Sequence, residues 1–261
     1  MNILHDPRLK DIRWQDLTRL SPKDVFVENA VSAPWITASW ILAWYELYWF
    51  AIPCSFMFFL TALRQVHNGF HYTLGISRGL TWCVLFLNSM LMLASMHAVK
   101  YNHLRHHKHC LNDEDIEGRC ARMPAWKAIL YGPVFIVQLH VTALRSGNST
   151  VIRNVITELL AVAIFITIVC TFHIRFLQYH LIAMLIGECM TSFFAVWTVH
   201  HDCDEEVFAR TQRSRWKNFF TYQMFYHLEH HLFPQVPTSK LPELSRRIDK
   251  TLPDVEMKEV F

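Results

Sequence analysis

The amino-acid sequence predicts an all-α integral membrane fold: four transmembrane helices, interfacial helices, and a cytosolic cap that holds most of the histidines. Three observations lead there. The 261 residues are 52% apolar and 14% aromatic, with 18% charged and only seven glycines, which excludes both disorder and a string of soluble domains. The apolar residues gather in runs: 35 to 63 carries Glu46 as its single charge, and 155 to 172 carries only Glu158. Water-soluble core helices do not look like this. Finally, sixteen histidines, about 6% of the chain, are clustered between the apolar runs.

The first 28 residues are polar, with Arg8, Lys10, Arg13, Arg19 and Lys23, and have no apolar core or cleavage site of a secretory signal. A retained, cytoplasmic N-terminus is expected. Ser21-Pro22-Lys23-Asp24 has the form of a helix start, with a capping hydroxyl, a first-turn proline and an acid three places on. Residues 30 to 66 would make ~55 Å of straight helix against a hydrocarbon layer of ~30 Å, so a hairpin turning near Phe50 to Pro53 is expected. Runs 151 to 172 and 179 to 199 supply two further crossings. Seven cysteines lie scattered without a CxxC pair and read as reduced structural thiols. The expected division is 1–29 as a cytosolic N-terminal segment, 30–245 as the membrane domain and 246–261 as a cytosolic tail.

The histidine clusters are His67-Asn-Gly-Phe-His71, then His103-Leu-Arg-His106-His107, then His227-Leu-Glu-His230-His231. Residues three and four apart share a helix face, so each cluster sends two or three imidazoles to one point. Chance yields one His-x-x-His-His in roughly one such chain in fifteen, and two far more rarely. His5, His97, His140, His173 and His180 stand outside these clusters and read as ordinary satisfied histidines. Eight ligands exceed what one ion takes from protein, which implies two ions. Structural zinc usually recruits cysteine, and no cysteine lies within the clusters. Two irons that bind and reduce dioxygen suit the hydrophobic surroundings better, because attack on an unactivated C–H bond needs an oxidant that no side chain supplies.

If the clusters share one site, an even number of crossings separates each pair. Run 79 to 99 must then dip and return or lie in the interface. Of the three runs between His107 and His227, the run 125 to 144, interrupted by Gly132-Pro133, is expected to be interfacial. Cations agree with this topology: Arg105, Lys108, Arg119, Arg122 and Lys127, then Arg210, Arg213, Arg215 and Lys217, fall on the histidine side, which the positive-inside rule makes cytoplasmic. Two acids within apolar runs, Glu46 and Glu188, either line a polar part of a substrate path or sit at an interface or a helix contact.

His67-x-x-x-His71, His103-x-x-His106-His107 and His227-Leu-Glu-His230-His231-Leu-Phe-Pro, with Asn112-Asp-Glu-Asp after the second cluster, resemble the histidine boxes of the membrane fatty acid desaturase superfamily. The resemblance covers residues 30 to 245. It implies a non-haem di-iron centre on the cytosolic face and O2-dependent desaturation of a fatty acyl chain. Hydroxylation or carotenoid-type ketolation of a long apolar substrate is the alternative, and a metal transporter or sensor is a third reading. The family uses a further histidine at the end of the last crossing helix, where this sequence has His200-His201. Neighbours on a helix point about 100° apart, so only one of the two is expected to bind: His200 is taken as the ninth ligand, with His201 as the alternative and Asp202 as a candidate acceptor behind it. Asn68, where many members carry an acid, is expected to orient a ligand from behind. No fused redox domain follows, so a separate carrier, a ferredoxin or similar, must deliver electrons; nucleic acid is not an expected partner. The cations 210 to 217 would either dock that carrier or anchor the cap to anionic lipid.

Overall fold

A computed structural model describes residues 3–204 and 206–261. Helices build it throughout, and among the described residues the only strand-like feature is one isolated bridge between Thr211 and Glu259.

Helix α1 (Pro22–Ala30) starts at the expected capping box: Ser21 Oγ accepts from the Asp24 amide, and the Asp24 carboxylate accepts from the Ser21 amide. Val31 and Ser32 remain helical and lead into α2 (Ala33–Trp44). The chain reverses at 45–47 into α3 (Tyr48–Phe70). The reversal therefore precedes the expected Phe50 to Pro53, which lies inside α3. Two physical reasons account for this. Pro53 lies in the second turn of α3, where it removes one backbone donor and the helix continues past it. Glu46, at φ 59°, gains from being at the tip, where it pairs with Arg175 at 3.1 Å. Glu46 therefore sits at the end of the bundle, not on a path through it.

Helices α7 (Ser149–Thr171) and α8 (Arg175–Thr191) form the second hairpin. Its tip meets the first: Trp44 lies 5.5 Å from Phe176 and Tyr48 5.4 Å from Tyr179. Beyond α8 a π-helical turn, Ser192–Trp197, leads into α9 (Thr198–His200), giving one 26-residue rod, Arg175–His200.

Between α4 (Arg78–Met92) and α5 (Met96–His109) the chain bends by 110°. Leu93 takes a left-handed conformation, and Glu158 of α7 accepts from Ser95 Oγ at 2.5 Å and from the His97 amide at 3.1 Å. The bent pair has the geometry of a broken span or a re-entrant loop, and α5 runs from the bend to the histidines.

Helix α6 (Ala125–Leu144) is continuous through Gly132-Pro133, contrary to the expected interruption. Gly132 is where the α8 backbone passes; a Cβ there would sit 1.6 Å from the Cys189 carbonyl oxygen. Among the described residues four helices are long and apolar enough to cross a membrane: α3, α6, α7 and the rod Arg175–His200. The expected four had the α2 limb in place of α6. At its start, Met123 O accepts from Trp197 Nε1; toward its end, Leu139 O accepts from Asn102, the neighbour of His103. Both ends of α6 thus contact the histidine end of the bundle.

The cap joins distant segments. Short 3-10 turns between Ile3 and Thr18, α10 (Arg215–Phe220), α11 (His227–Leu232) and α12 (Leu241–Thr251) enclose Ile12, Phe208, Leu228, Leu244 and Ile248. Arg247 ties α12 to Asp16, and Arg8 pairs with Asp254. The N-terminal segment and the C-terminal tail are thereby parts of one layer over the histidines.

Candidate metal centre

Four elements deliver the imidazoles. The last turn of α3 carries His67, with His71 just past it; α5 carries His103, His106 and His107; α9 ends in His200; and the single-turn α11 carries His227, His230 and His231. All nine converge. The ligand atoms of His67, His71, His103, His107 and His230 lie within 4.8 Å of one another. Within this set Nε2 of His71 is 3.0 Å from that of His103, and His107 stands 3.1 Å from His103 and 2.9 Å from His230. A second set has His106 Nε2 at 3.0 Å from His200 and 3.3 Å from His231, and His227 at 2.9 Å from His200 and 3.1 Å from His231. The two sets touch where the His107 and His231 rings stack at 4.3 Å.

The other ring nitrogen is held from behind in several cases. His103 Nδ1 lies 3.0 Å from Glu117, His106 Nδ1 2.7 Å from Asp115, and His200 Nδ1 2.8 Å from the Phe208 carbonyl. Each acceptor favours a proton on Nδ1 and leaves the Nε2 lone pair facing inward. Asp115 is itself fixed by the amides of Leu111 and Gly118. Gly118 is required there, since a Cβ would meet the carboxylate at 2.2 Å.

Electrostatics favour neutral rings. Burial first, and neighbouring imidazoles second, push His103, His107, His227, His230 and His231 well below the usual histidine value. His106 is the exception: burial is the largest single effect and opposes its charge, but the Asp115 hydrogen bond together with Cys110 and Glu117 raises the value. Burial lifts Glu117 to about 7.

A pair of ions suits this donor set. Nitrogens 2.9–3.3 Å apart match neighbouring ligands about an ion bound at ~2.1 Å. Imidazoles facing one another cannot all donate, and both ring nitrogens of His67 are buried without any hydrogen-bond partner. Cations between them would satisfy all of these lone pairs.

A family model described as "Fatty acid desaturase" matches residues 39–260, which include every one of these histidines. The chain belongs to the fatty acid desaturase family. No curated protein matches it.

Within this desaturase site the structure also separates the remaining expectations. His201 turns away from the centre: its ring stacks on Trp197 at 3.9 Å and its Nδ1 meets the Trp197 carbonyl, whereas His200 joins the second set. Asp202 does not stand behind a histidine; it is exposed and its carboxylate meets Arg210 at 3.5 Å, because the chain turns out of the helix at His201. The Phe208 carbonyl takes that place. Asn68 touches no imidazole. It donates to Glu28 and accepts from the Thr238 hydroxyl at 2.6 Å, linking α3 to α1 and to the loop after the third cluster. Arg213 of the desaturase is a cap residue, bound to buried Glu229 at 2.6 Å and to Asp249 at 2.6 Å. Of the five histidines read as ordinary, three have partners away from the centre: His97 pairs with Glu158, His140 accepts from the Ser95 amide, and His180 meets the Leu91 carbonyl.

The sequence reading missed Glu117, Phe208 and the buried Glu28–Arg64 pair, 2.7 Å long, that braces α3 three residues before His67. Cys110, 4.0 Å from His106 Nε2, was also missed. Only Glu117 left a usable signal, as an acid shortly after the second cluster.

Proposed function

We propose that this member of the desaturase family is an O2-dependent di-iron desaturase acting on a fatty acyl chain, with its centre on the cytoplasmic face. One observation carries the reading: two adjacent sets of inward-facing imidazoles, five and four strong, sit beneath the cap at the end of an apolar bundle. His67, His71, His103, His107 and His230 would hold one iron, and His106, His200, His227 and His231 the other. Bound iron supplies the oxidising power, drawn from dioxygen, that an unactivated C–H bond requires.

The chain's own residues supply the rest. Glu117 and Asp115 keep His103 and His106 in the ligating tautomer and fix their planes. The cap shields the site from bulk water, with His106 and His200 each 1% exposed. On the bilayer side an apolar groove of about 310 Å³, lined by Ile52, Phe56, Phe59, Ile182, Ile186 and Phe194, separates α3 from α8 and suits an acyl chain. Desaturation removes two hydrogens from adjacent carbons, and two electrons with two protons complete the reduction of O2 to two waters. A carrier such as a ferredoxin would bring those electrons. A cavity of about 650 Å³ reaches His200 from the cap side, between Arg122, Trp197 and Asp202, and offers the carrier its approach.

Expression in a lipid-producing host, with fatty acids and carotenoids profiled by mass spectrometry, tests the reading. New double bonds are expected. New hydroxyl or keto oxygens would transfer the chain to the oxygenase reading, and an unchanged profile with metal bound would count against both.

A further inference from the structure

A second concave site lies outside the metal centre. Between α4, α5 and the start of α7, a cavity of about 470 Å³ opens at the level of the histidines. Four cations line it: Arg78, Lys100, Arg105 and Lys108; no acid does. Among the described residues only Arg105 has an acidic partner, exposed Glu114 at 3.6 Å. The cations are gathered instead by aromatic rings. Lys100 Nζ stands 3.8 Å from the Tyr72 ring centre, and the Arg78 guanidinium is 5.2 Å from the same ring.

Like charges around a concavity repel one another, so the arrangement gains most from an anion placed among them. The first turn of α7 adds Thr150 and Val151 to the wall, and the positive end of this 23-residue helix favours the same charge. Thr81, His97, His109 and Asn154 also line the cavity, and Trp82, Leu85, Leu104 and Val151 give it an apolar side. Trp82 and Leu104 are partly exposed, at 37% and 43%, so the apolar side continues outward where the bilayer would lie. Tyr72 directly follows His71, which places the cations at the surface of the membrane.

We propose that this cavity binds the phosphate head of an anionic amphiphile, with the acyl chain leaving along Trp82 and Leu85 toward the bilayer. The site stands independently of the desaturase reading. Phosphate chemistry of this kind has two sources, a membrane phospholipid or a soluble phosphate-bearing acyl carrier.

The full-length, metal-loaded protein in phosphatidylcholine nanodiscs distinguishes them. Phosphatidylglycerol is added in one arm and inorganic phosphate in another, with retained lipid read by native mass spectrometry. Phosphatidylglycerol should be retained over phosphatidylcholine, and Lys100→Gln/Lys108→Gln should weaken it about thirty-fold. Lys108→Gln alone, at an exposed position, should weaken it about five-fold and keeps the test open if the double variant misfolds. If millimolar inorganic phosphate displaces the lipid, the cations read phosphate from either source; if it does not, the site needs the membrane-borne amphiphile. Equal retention of both lipids, or unchanged retention in variants that keep their melting temperature and metal content, would overturn the proposal.

Discussion

Asp115 and Glu117 show how much of the metal centre depends on groups that bind no metal. Each sits behind one imidazole and is buried. Asp115→Asn and Glu117→Gln should each weaken metal binding by about 10–100-fold while leaving the helices in place, measured by competition with a chelator. His71→Ala, His106→Ala and His230→Ala remove donors themselves and should lower iron from two per chain, together with activity. Iron content by elemental analysis checks this, and full activity in any of the three would refute the assignment. Arg213 was a candidate for carrier docking, but it neutralises Glu229, whose carboxyl burial drives upward, inside the third cluster. Arg213→Glu should therefore loosen the cap and lower iron content, whereas Arg215→Glu, with no ion pair among the described residues, is the cleaner probe of electron delivery. An increased apparent KM for reduced carrier with unchanged iron is expected of that second variant.

At the scale of helices, close approach and buried polar ties position the site. Gly132 lets α6 cross α8, and a methyl group there has no room against the Cys189 carbonyl. Gly132→Ala should cost about 1–3 kcal/mol and lower the melting temperature in detergent, while Gly79→Ala, with nothing near its Cβ, should not. The bend between α4 and α5 depends on Glu158. Glu158→Ala strands the Ser95 hydroxyl and the His97 amide and ring, for about 2–3 kcal/mol, and should misplace α5 with its three ligands. A surface tie behaves differently. Lys240, next to α12, hydrogen-bonds Asp24 in α1 and, with Ser21, holds its carboxyl down to about 2. A lowered acid stabilises the folded cap above its unfolded value near 3.8, and that contribution fades as pH falls from about 4 through 2. Asp24→Asn should flatten this limb of an acid titration followed by tryptophan fluorescence; the effect is small because the pair is solvated.

For the whole molecule, the histidine centre and the two hairpin tips occupy opposite ends of the bundle. In intact cells, cysteine probes placed near Arg175 should react with an external, impermeant reagent, and probes at Asn112 and Arg213 should not. Labelling at Asn112 would mean that α4 and α5 together cross the membrane, and with it that the shared centre is wrong. The same experiment with a probe at Ser146, after α6, decides between the two readings of that helix. Protection from outside is expected, because α6 contacts the histidine end at its start and near its finish.

The three histidine clusters, the apolar runs and the cap at Ser21 were legible because each is a local pattern with a local cause: ligand spacing on a helix face, desolvation of a long segment, and an unsatisfied helix end. The parity of crossings follows from the premise that the clusters meet, and labelling at Asn112 tests it. Other features depend on segments far apart in the chain. Residues 200 and 201 are both histidine, and only the way the rod Arg175–His200 ends, with His201 stacked on Trp197, turns one ring to the centre and the other away. The reversal at 45–47 was misplaced because proline was read as a break, while the pairing of Glu46 with Arg175, 129 residues away, has no local signature. Gly132-Pro133 likewise reads as an interruption until α8 is laid across it. Local chemistry determined which histidines are the candidate ligands and why they should converge. Tertiary packing decided their grouping into two sets, the acids behind them and the cations around the second cavity, because each rests on distances between segments that the order of residues does not contain.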